Sequence, residues 1–277
     1  MLEKINFEKR MEKEAYKKEL DPLQQELSLL QQKIKEAKLP VLILFDGWGA
    51  AGKGDLIAKL IENFDPRGFR VYTNAAAEPQ EKRRPWLWRY WQELPEYGKI
   101  CVMDRSWYQD VSVGRIEEDL SQEEVLCRIH SIKVLERQLT DDGYLVLKFF
   151  LHISQKEQKE RFEALEANKN TQWRVTEQDW RRNRNYETYF RAFDEMISYT
   201  DTPNAPWHIL SCQDKFSARL TMLRVVRNEI QKALAKKELP HPPQTTEIWM
   251  PPIFHLTPMP KLAQVALDQK MEAEAYK

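Results

Sequence analysis

The chain has 277 residues, which is enough for one domain of full size together with shorter appended segments. Lysine plus arginine and aspartate plus glutamate both number 43, so the formal net charge is zero and no global field indicates a nucleic-acid or membrane partner. Three cysteines without a Cys-x-x-Cys pair argue against a disulfide framework and a zinc site, and no signal-peptide pattern is present. We therefore expect a cytoplasmic protein that binds neither nucleic acid nor membranes.

Residues 1–39 are rich in Glu, Lys, Gln and Leu and predict an N-terminal helical segment. Asp21 and Pro22 favour a helix start, because aspartate is a good N-cap and proline suits the first turn. Between residues 20 and 34, leucine or isoleucine recurs every three or four residues and gives a narrow apolar seam. The seam is too short to establish a coiled coil, so we expect this helix to pack across the main domain.

Residues 40–239 alternate apolar strands with helices, which is typical of a parallel sheet covered on both faces. The predicted strands are 41–45, 69–72, 99–103, 144–152 and 207–210. The predicted helices are 53–63, 81–92, 123–139 (capped by Ser121), 214–237 and two highly charged helices at 154–168 and 176–199. The predicted fold class is therefore α/β with a doubly wound parallel sheet.

Residues 240–277 differ in character, because seven of the fifteen prolines lie between Pro240 and Pro260. Such a stretch predicts an extended linker or a surface tail. The octapeptide at residues 10–17 recurs at 270–277 with six identical residues. This repeat favours a tandem duplication, in which a second homologous domain begins near the end of the given sequence.

Four of the eight glycines fall within residues 47–54, directly after the apolar run 41–45. A strand, a glycine-rich turn and a lysine at the start of a helix form a phosphate cradle, because backbone N–H groups converge on the anion and the lysine adds a mobile charge. The strict pattern has Ser or Thr after the lysine, so an ordinary strand-to-helix turn remains an alternative. The predicted phosphate-binding residues here are Gly47, Gly49, Ala50, Ala51, Gly52, Lys53 and Gly54.

The third predicted strand leads into Asp104 and Arg105. Because the carboxyl ends of parallel strands open on the same crevice, Asp104 would lie near the glycine loop. There an aspartate can organise Mg²⁺ and an arginine can reach a phosphoryl oxygen. We predict Lys53, Asp104 and Arg105 as catalytic residues and Asp104 as the metal ligand. A role for Asp104 in capping the next turn is the simpler alternative.

Further basic residues flank the predicted crevice, although each of them alone is more typical of a solvated helix face. The predicted polyanion-binding set is Arg83 and Arg84 on the aromatic helix and Lys159, Arg161 and Arg174 on the two charged helices.

With these motifs the chain resembles the polyphosphate kinase 2 family, P-loop phosphotransferases that move phosphoryl groups between inorganic polyphosphate and nucleotides. The resemblance spans about residues 20–235. It rests on the blocks 45–54, 65–68, 104–108 and 200–207. It implies a thymidylate-kinase-like three-layer sandwich with a helical lid at about 154–199. It also implies a Walker A lysine at Lys53, a Walker B aspartate at Asp104, a phosphate-binding Arg115 and Mg²⁺ as cofactor.

Three positions depart from the family's pattern. Gly49 stands where members typically carry an aspartate that would help to place Mg²⁺ or the attacking phosphate. Gln109 and Asp110 replace the usual Asn-Arg pair, and Gly114 replaces a glutamate. The family has a two-domain branch that phosphorylates AMP to ADP. In such two-domain members, one half can be catalytically degenerate.

Three functions remain open from the sequence. The favoured one is Mg²⁺-dependent phosphoryl transfer between polyphosphate and a nucleotide, AMP or ADP. The second is a degenerate structural or regulatory half of a tandem phosphotransferase, and the third is an ATP-dependent nucleoside monophosphate kinase. The expected partners are inorganic polyphosphate, a nucleotide (AMP, ADP or ATP), and a second homologous domain in the same polypeptide or a homo-oligomer.

Overall fold

A computed structural model describes residues 1–5, 7, 11–118 and 120–238. The predicted tail at 240–277, its repeat and the predicted boundary at 239/240 lie outside the described residues.

The described residues contain one five-stranded sheet in which every neighbouring pair of strands is parallel. Its strands are β1 (Val41–Gly47), β2 (Phe69–Thr73), β3 (Ile100–Asp104), β4 (Leu145–His152) and β5 (Trp207–Ser211). They lie in the order β2-β3-β1-β4-β5. All five predicted strands are confirmed, and β1 and β4 are buried along nearly their whole length, as continuous apolar runs require.

Helices cover this sheet, so the predicted α/β fold class is confirmed. They are α1 (Lys13–Glu36), α2 (Lys53–Ile61), α3 (Trp88–Trp91), α4 (Tyr108–Val111), α5 (Val113–Glu117), α6 (Gln122–Asp141), α7 (Gln155–Ala167), α8 (Glu177–Arg184), α9 (Tyr186–Thr200) and α10 (Lys215–Glu238). Within the described ranges, none of these helices has the length and apolar character needed to cross a membrane.

The predicted start of the first helix at Asp21 is wrong. Helix α1 begins at Lys13, after Glu12 as N-cap, and Pro22 lies inside it. An interior proline costs about 3 kcal/mol. Tyr16 and Leu20 are both buried, and each buried side chain of this size contributes roughly 1.5–3 kcal/mol. Burial on the face that packs against α10 therefore outweighs the cost, and the expected packing of this helix across the main domain is confirmed.

Two predicted helices are broken. The stretch 81–92 contains only a 3₁₀ turn (Glu81–Arg83) and the short helix α3, because Arg84 is extended (φ −125°, ψ 163°) ahead of Pro85. Proline disfavours the helical conformation of the residue before it. The stretch 176–199 divides into α8 and α9 at Asn185, whose side-chain amide donates to the carbonyl of Arg181 at 2.9 Å. Such a local bond competes with the helical ladder.

Candidate active site

The glycine-rich loop joins β1 to α2 at the carboxyl edge of the sheet. Gly47 has φ +127°, and a Cβ there would lie 2.3 Å from the carbonyl oxygen of Leu151, so only glycine fits. The loop is anchored by Trp48, whose indole Nε1 donates to Nδ1 of His152 at 3.0 Å and whose ring stacks on Tyr186. The predicted cradle is therefore a fixed turn with strained, glycine-dependent geometry.

Lys53 is the first residue of α2, and its side chain bends back over the loop. Its Nζ donates to the carbonyl oxygens of Gly47 at 3.1 Å and Trp48 at 2.9 Å, and the side chain is buried. Burial and the positive charge of Arg105 together lower the pKa of Lys53 to about 8, whereas Asp104 and Asp46 oppose the shift. An anion bound in the crevice would therefore lie close to the ammonium group of Lys53.

Asp104 ends β3 opposite Phe45, the residue of β1 that precedes the loop by two positions. Because Nζ of Lys53 donates to the carbonyl of Gly47, two residues after Phe45, the two charged groups lie at the same edge of the sheet. Oδ1 of Asp104 is buried and finds no hydrogen-bond partner within the described ranges. A buried carboxylate oxygen without a donor is unusual in proteins and is suited to a cation.

Asp46 is a second buried carboxylate at this edge. Its Oδ2 accepts a hydrogen bond from Oγ of Ser106 at 2.6 Å, and its Oδ1 accepts one from the backbone N–H of Ser106 at 3.3 Å. Burial raises the pKa of Asp46 to about 6, against the opposing effects of the Ser106 hydrogen bonds and of Lys53. Asp46 lines the same crevice as Lys53 and Arg105.

Arg105 has a backbone φ of +64°, a left-handed conformation that is uncommon for a residue with a side chain. Its N–H donates to the carbonyl of Phe45 at 2.9 Å, which fixes the turn after β3. The exposed side chain lines the crevice. Strain of this kind is concentrated at functional sites.

Helices α7, α8 and α9 form the opposite wall of the crevice, which we call the helical wall. Gln158 of α7 donates through Nε2 to the carbonyl of Gly49 at 3.0 Å, and Arg161 donates through Nη1 to the carbonyl of Ala50 at 3.0 Å. The helical wall therefore contacts the loop directly.

The three predicted cations of the two charged helices lie in different places. Arg161 also donates to the carbonyl of Cys212 at 2.6 Å, so its guanidinium ties the loop to the end of β5. Lys159 is exposed and lies 3.8 Å from the carboxylate of Glu163. Arg174 is exposed and stacks on the ring of Trp173.

The remaining predicted phosphate-binding arginines lie apart from the residues that line the crevice. Arg83 is exposed, Arg84 stacks over the ring of Trp88 at 4.0 Å, and Arg115 pairs with Glu195 at 2.5 Å. Within the loop, Gly47, Gly49 and Lys53 line the crevice, whereas Ala51 and Gly52 line a separate cavity beside Arg161. Gly54 lies exposed on α2.

Sequence reasoning missed several residues of the site. Among them are Asp46, Ser106, Gln158 and Asp179, of which all but Ser106 line the crevice. An acidic residue inside an apolar strand was a usable signal for Asp46. The charged helices offered no comparable signal, since their many polar residues look alike in sequence.

The replacement at position 110 is accommodated away from the phosphate loop. Asp110 is half-buried and accepts a hydrogen bond from the hydroxyl of Tyr90 at 2.7 Å, and burial raises its pKa. Its neighbour Gln109 lines the crevice instead.

The family profile described as "Polyphosphate kinase 2 (PPK2)" matches residues 10–238. The chain belongs to the polyphosphate kinase 2 family. It is 34% identical over 225 residues to the ADP-polyphosphate phosphotransferase 3 of Rhizobium meliloti, covering 81% of this chain and 79% of that protein. The solved polyphosphate kinase 2 structure from Arthrobacter aurescens TC1 superimposes with a TM-score of 0.80 at 25% identity, covering 98% of this chain and 93% of that one.

A second relative is longer than this chain. The chain is 34% identical over 238 residues to the polyphosphate:AMP phosphotransferase of Pseudomonas syringae pv. tomato, covering 85% of this chain. It spans only 47% of that relative, which is about half its length.

Proposed function

We propose that this chain is a phosphotransferase domain that moves a phosphoryl group between inorganic polyphosphate and a nucleotide. The observation that carries the proposal is the meeting of a buried lysine ammonium, a glycine-rich loop and an unpartnered carboxylate oxygen at one edge of the sheet. Phosphoryl transfer depends mainly on positioning and electrostatic stabilisation, and these groups supply both.

Each group has a distinct role in the proposal. The loop N–H groups cradle the phosphate chain, and Lys53 leaves its two loop carbonyls to neutralise the transferring phosphoryl group. Arg105, exposed at the rim of the crevice, holds a neighbouring phosphoryl oxygen. Of the basic residues predicted from sequence, Arg161 acts through the loop carbonyls and not by direct contact with phosphate.

Mg²⁺ fits this site. Oδ1 of Asp104 is buried, lacks a donor among the described residues and belongs to the ligand class that Mg²⁺ prefers. We assign Asp104 as the residue that holds the ion, directly or through water, and the ion would neutralise charge on the phosphate chain.

Several further features belong to this proposal. The names of the two relatives favour ADP or AMP as the nucleotide. The 154–199 region would act as the lid, residues 1–39 and 240–277 would flank the catalytic domain, and a second homologous domain or a homo-oligomer would complete the assembly. A cytoplasmic location would give access to polyphosphate and nucleotides.

A second function is favoured by one observation. No side chain projects from position 49, where the family typically carries an aspartate, so this domain can bind polyphosphate without turnover and serve a partner domain. The two functions differ in chemistry but share the binding site.

A coupled assay with polyphosphate and AMP or ADP separates them. The proposal predicts turnover that is lost in Lys53→Ala and retained in Lys59→Ala, a matched lysine on the same helix that pairs with Glu62. Polyphosphate binding without turnover would favour the second function. Equal turnover in Lys53→Ala and the wild type would reject both, and turnover with ATP but not polyphosphate would indicate a nucleoside monophosphate kinase.

A further inference from the structure

A carboxylate from the helical wall lies over the position where the loop lacks a side chain. Oδ1 of Asp179, in the first turn of α8, is 3.5 Å from the point that a Cβ on Gly49 would occupy. Phe162 and Gln158 lie 3.6 and 3.7 Å from the same point. Asp179 also lines the crevice that contains Lys53.

The orientation of this carboxylate is fixed by the helix that carries it. Oδ2 of Asp179 accepts hydrogen bonds from the N–H and the hydroxyl of Thr176, at 3.0 and 2.7 Å, and completes a capping box. The other oxygen, Oδ1, is therefore turned toward the loop. Oδ1 also forms an ion pair with Nη1 of Arg182 at 3.9 Å, a longer contact than the two hydrogen bonds that Nε and Nη2 of Arg182 donate to Glu117.

A carboxylate and a polyanion repel each other in a half-buried crevice. They can therefore share this site only when a cation lies between them. We propose that Asp179 is a cation-binding residue of this site, one that contacts the divalent ion that accompanies the phosphate chain beside Gly49. The inference rests on the proposed function. The carboxylate that position 49 lacks is then supplied by Asp179 of α8.

The first test measures binding of Mn²⁺, as a probe for the divalent ion, to the whole chain in the presence of inorganic polyphosphate. Asp179→Asn keeps an acceptor for Thr176 but removes the charge, and we expect about tenfold weaker Mn²⁺ binding, the scale seen when a residue supporting a metal site is lost. Glu177→Gln, an exposed carboxylate in the same helical turn, should leave binding unchanged. Thr176→Ala should lower helix stability but weaken Mn²⁺ binding by less than Asp179→Asn, because the charge and the hydrogen bond from the backbone N–H of residue 176 remain.

A second variant moves the carboxylate across the crevice. Gly49→Asp in the Asp179→Asn background should restore Mn²⁺ affinity, whereas Gly49→Asp alone should give no gain, because two carboxylates would crowd one position. Unchanged Mn²⁺ binding in Asp179→Asn would overturn the inference and leave the proposed function standing. Failure of the wild type to bind polyphosphate at all would reject the proposed function itself.

Discussion

The two walls of the crevice differ in what fixes the positions of their side chains. The sheet wall consists of the ends of β1 and β3 and the loop between β1 and α2. Asp46 and Lys53 line it, and the register of the buried strands places Asp104 at the same edge of the sheet. The helical wall consists of α7, α8 and α9, and charged side chains dominate the surfaces of α7 and α8. Strand register decides which side chains lie at the sheet wall. At the helical wall, the rotation of each helix about its axis decides which side chains face the crevice.

The rotation of α7 explains how Arg161 can contact the loop without facing the crevice. Arg161 lies two residues after Lys159 on α7, which turns it by about 200° at 3.6 residues per turn. Arg161 contacts loop carbonyls, and Lys159 points to solvent beside Glu163. Basic composition alone therefore says little about which cation serves the site.

The largest effect is expected from the sheet wall. Asp104→Asn should lower turnover by about 10²- to 10³-fold, the range seen when one preorganised electrostatic group is removed. The asparagine is nearly isosteric, so folding should be retained, and Asp141→Asn, an exposed carboxylate on α6, serves as control. Steady-state kinetics with polyphosphate as donor measures the change, and a loss of less than threefold would remove Asp104 from the mechanism.

A smaller effect is expected from the helical wall, where the two cations of α7 should separate. Arg161→Ala removes charged hydrogen bonds to the carbonyls of Ala50 and Cys212 and should raise the KM for polyphosphate by about tenfold, because such bonds are worth about 1.5 kcal/mol. Lys159→Ala should stay within twofold of the wild type. Equal effects from both variants would mean that charge density, and not loop support, is what α7 contributes.

The smallest effect concerns pH. With a pKa of about 8, Lys53 loses its proton as pH rises from 7 to 8.5, and affinity for polyphosphate should fall by about fourfold. The sign follows because only the ammonium form attracts phosphate. The guanidinium in Lys53→Arg stays charged over this whole interval and should give a flatter profile. Parallel profiles for the two proteins, measured by calorimetry, would assign the pH dependence to another group.

Much of the fold could be predicted from the sequence, because continuous apolar runs such as 41–45 and 144–152 identify buried parallel strands. The start of α1 could not be predicted locally, since burial of Tyr16 and Leu20 overrides the signals of Asp21 and Pro22. Tertiary packing decided that boundary.

Some residues of the candidate site could likewise be predicted from the sequence, and others could not. Lys53 and Asp104 were predictable because the carboxyl ends of neighbouring parallel strands share an edge. Asp179 was not, since its position over Gly49 depends on the break between α8 and α9 and on the capping box with Thr176. Neither feature is visible in charge patterning.

The central claim is that Lys53 and Asp104 act on one ligand in one crevice. A double-mutant cycle with Lys53→Ala, Asp104→Asn and the combined variant, read by calorimetry of polyphosphate binding in the presence of Mg²⁺, tests it directly. The account predicts a coupling energy of about 0.5–3 kcal/mol between the two sites. Losses that add to within about 0.3 kcal/mol would show that the two residues act independently and would contradict the account.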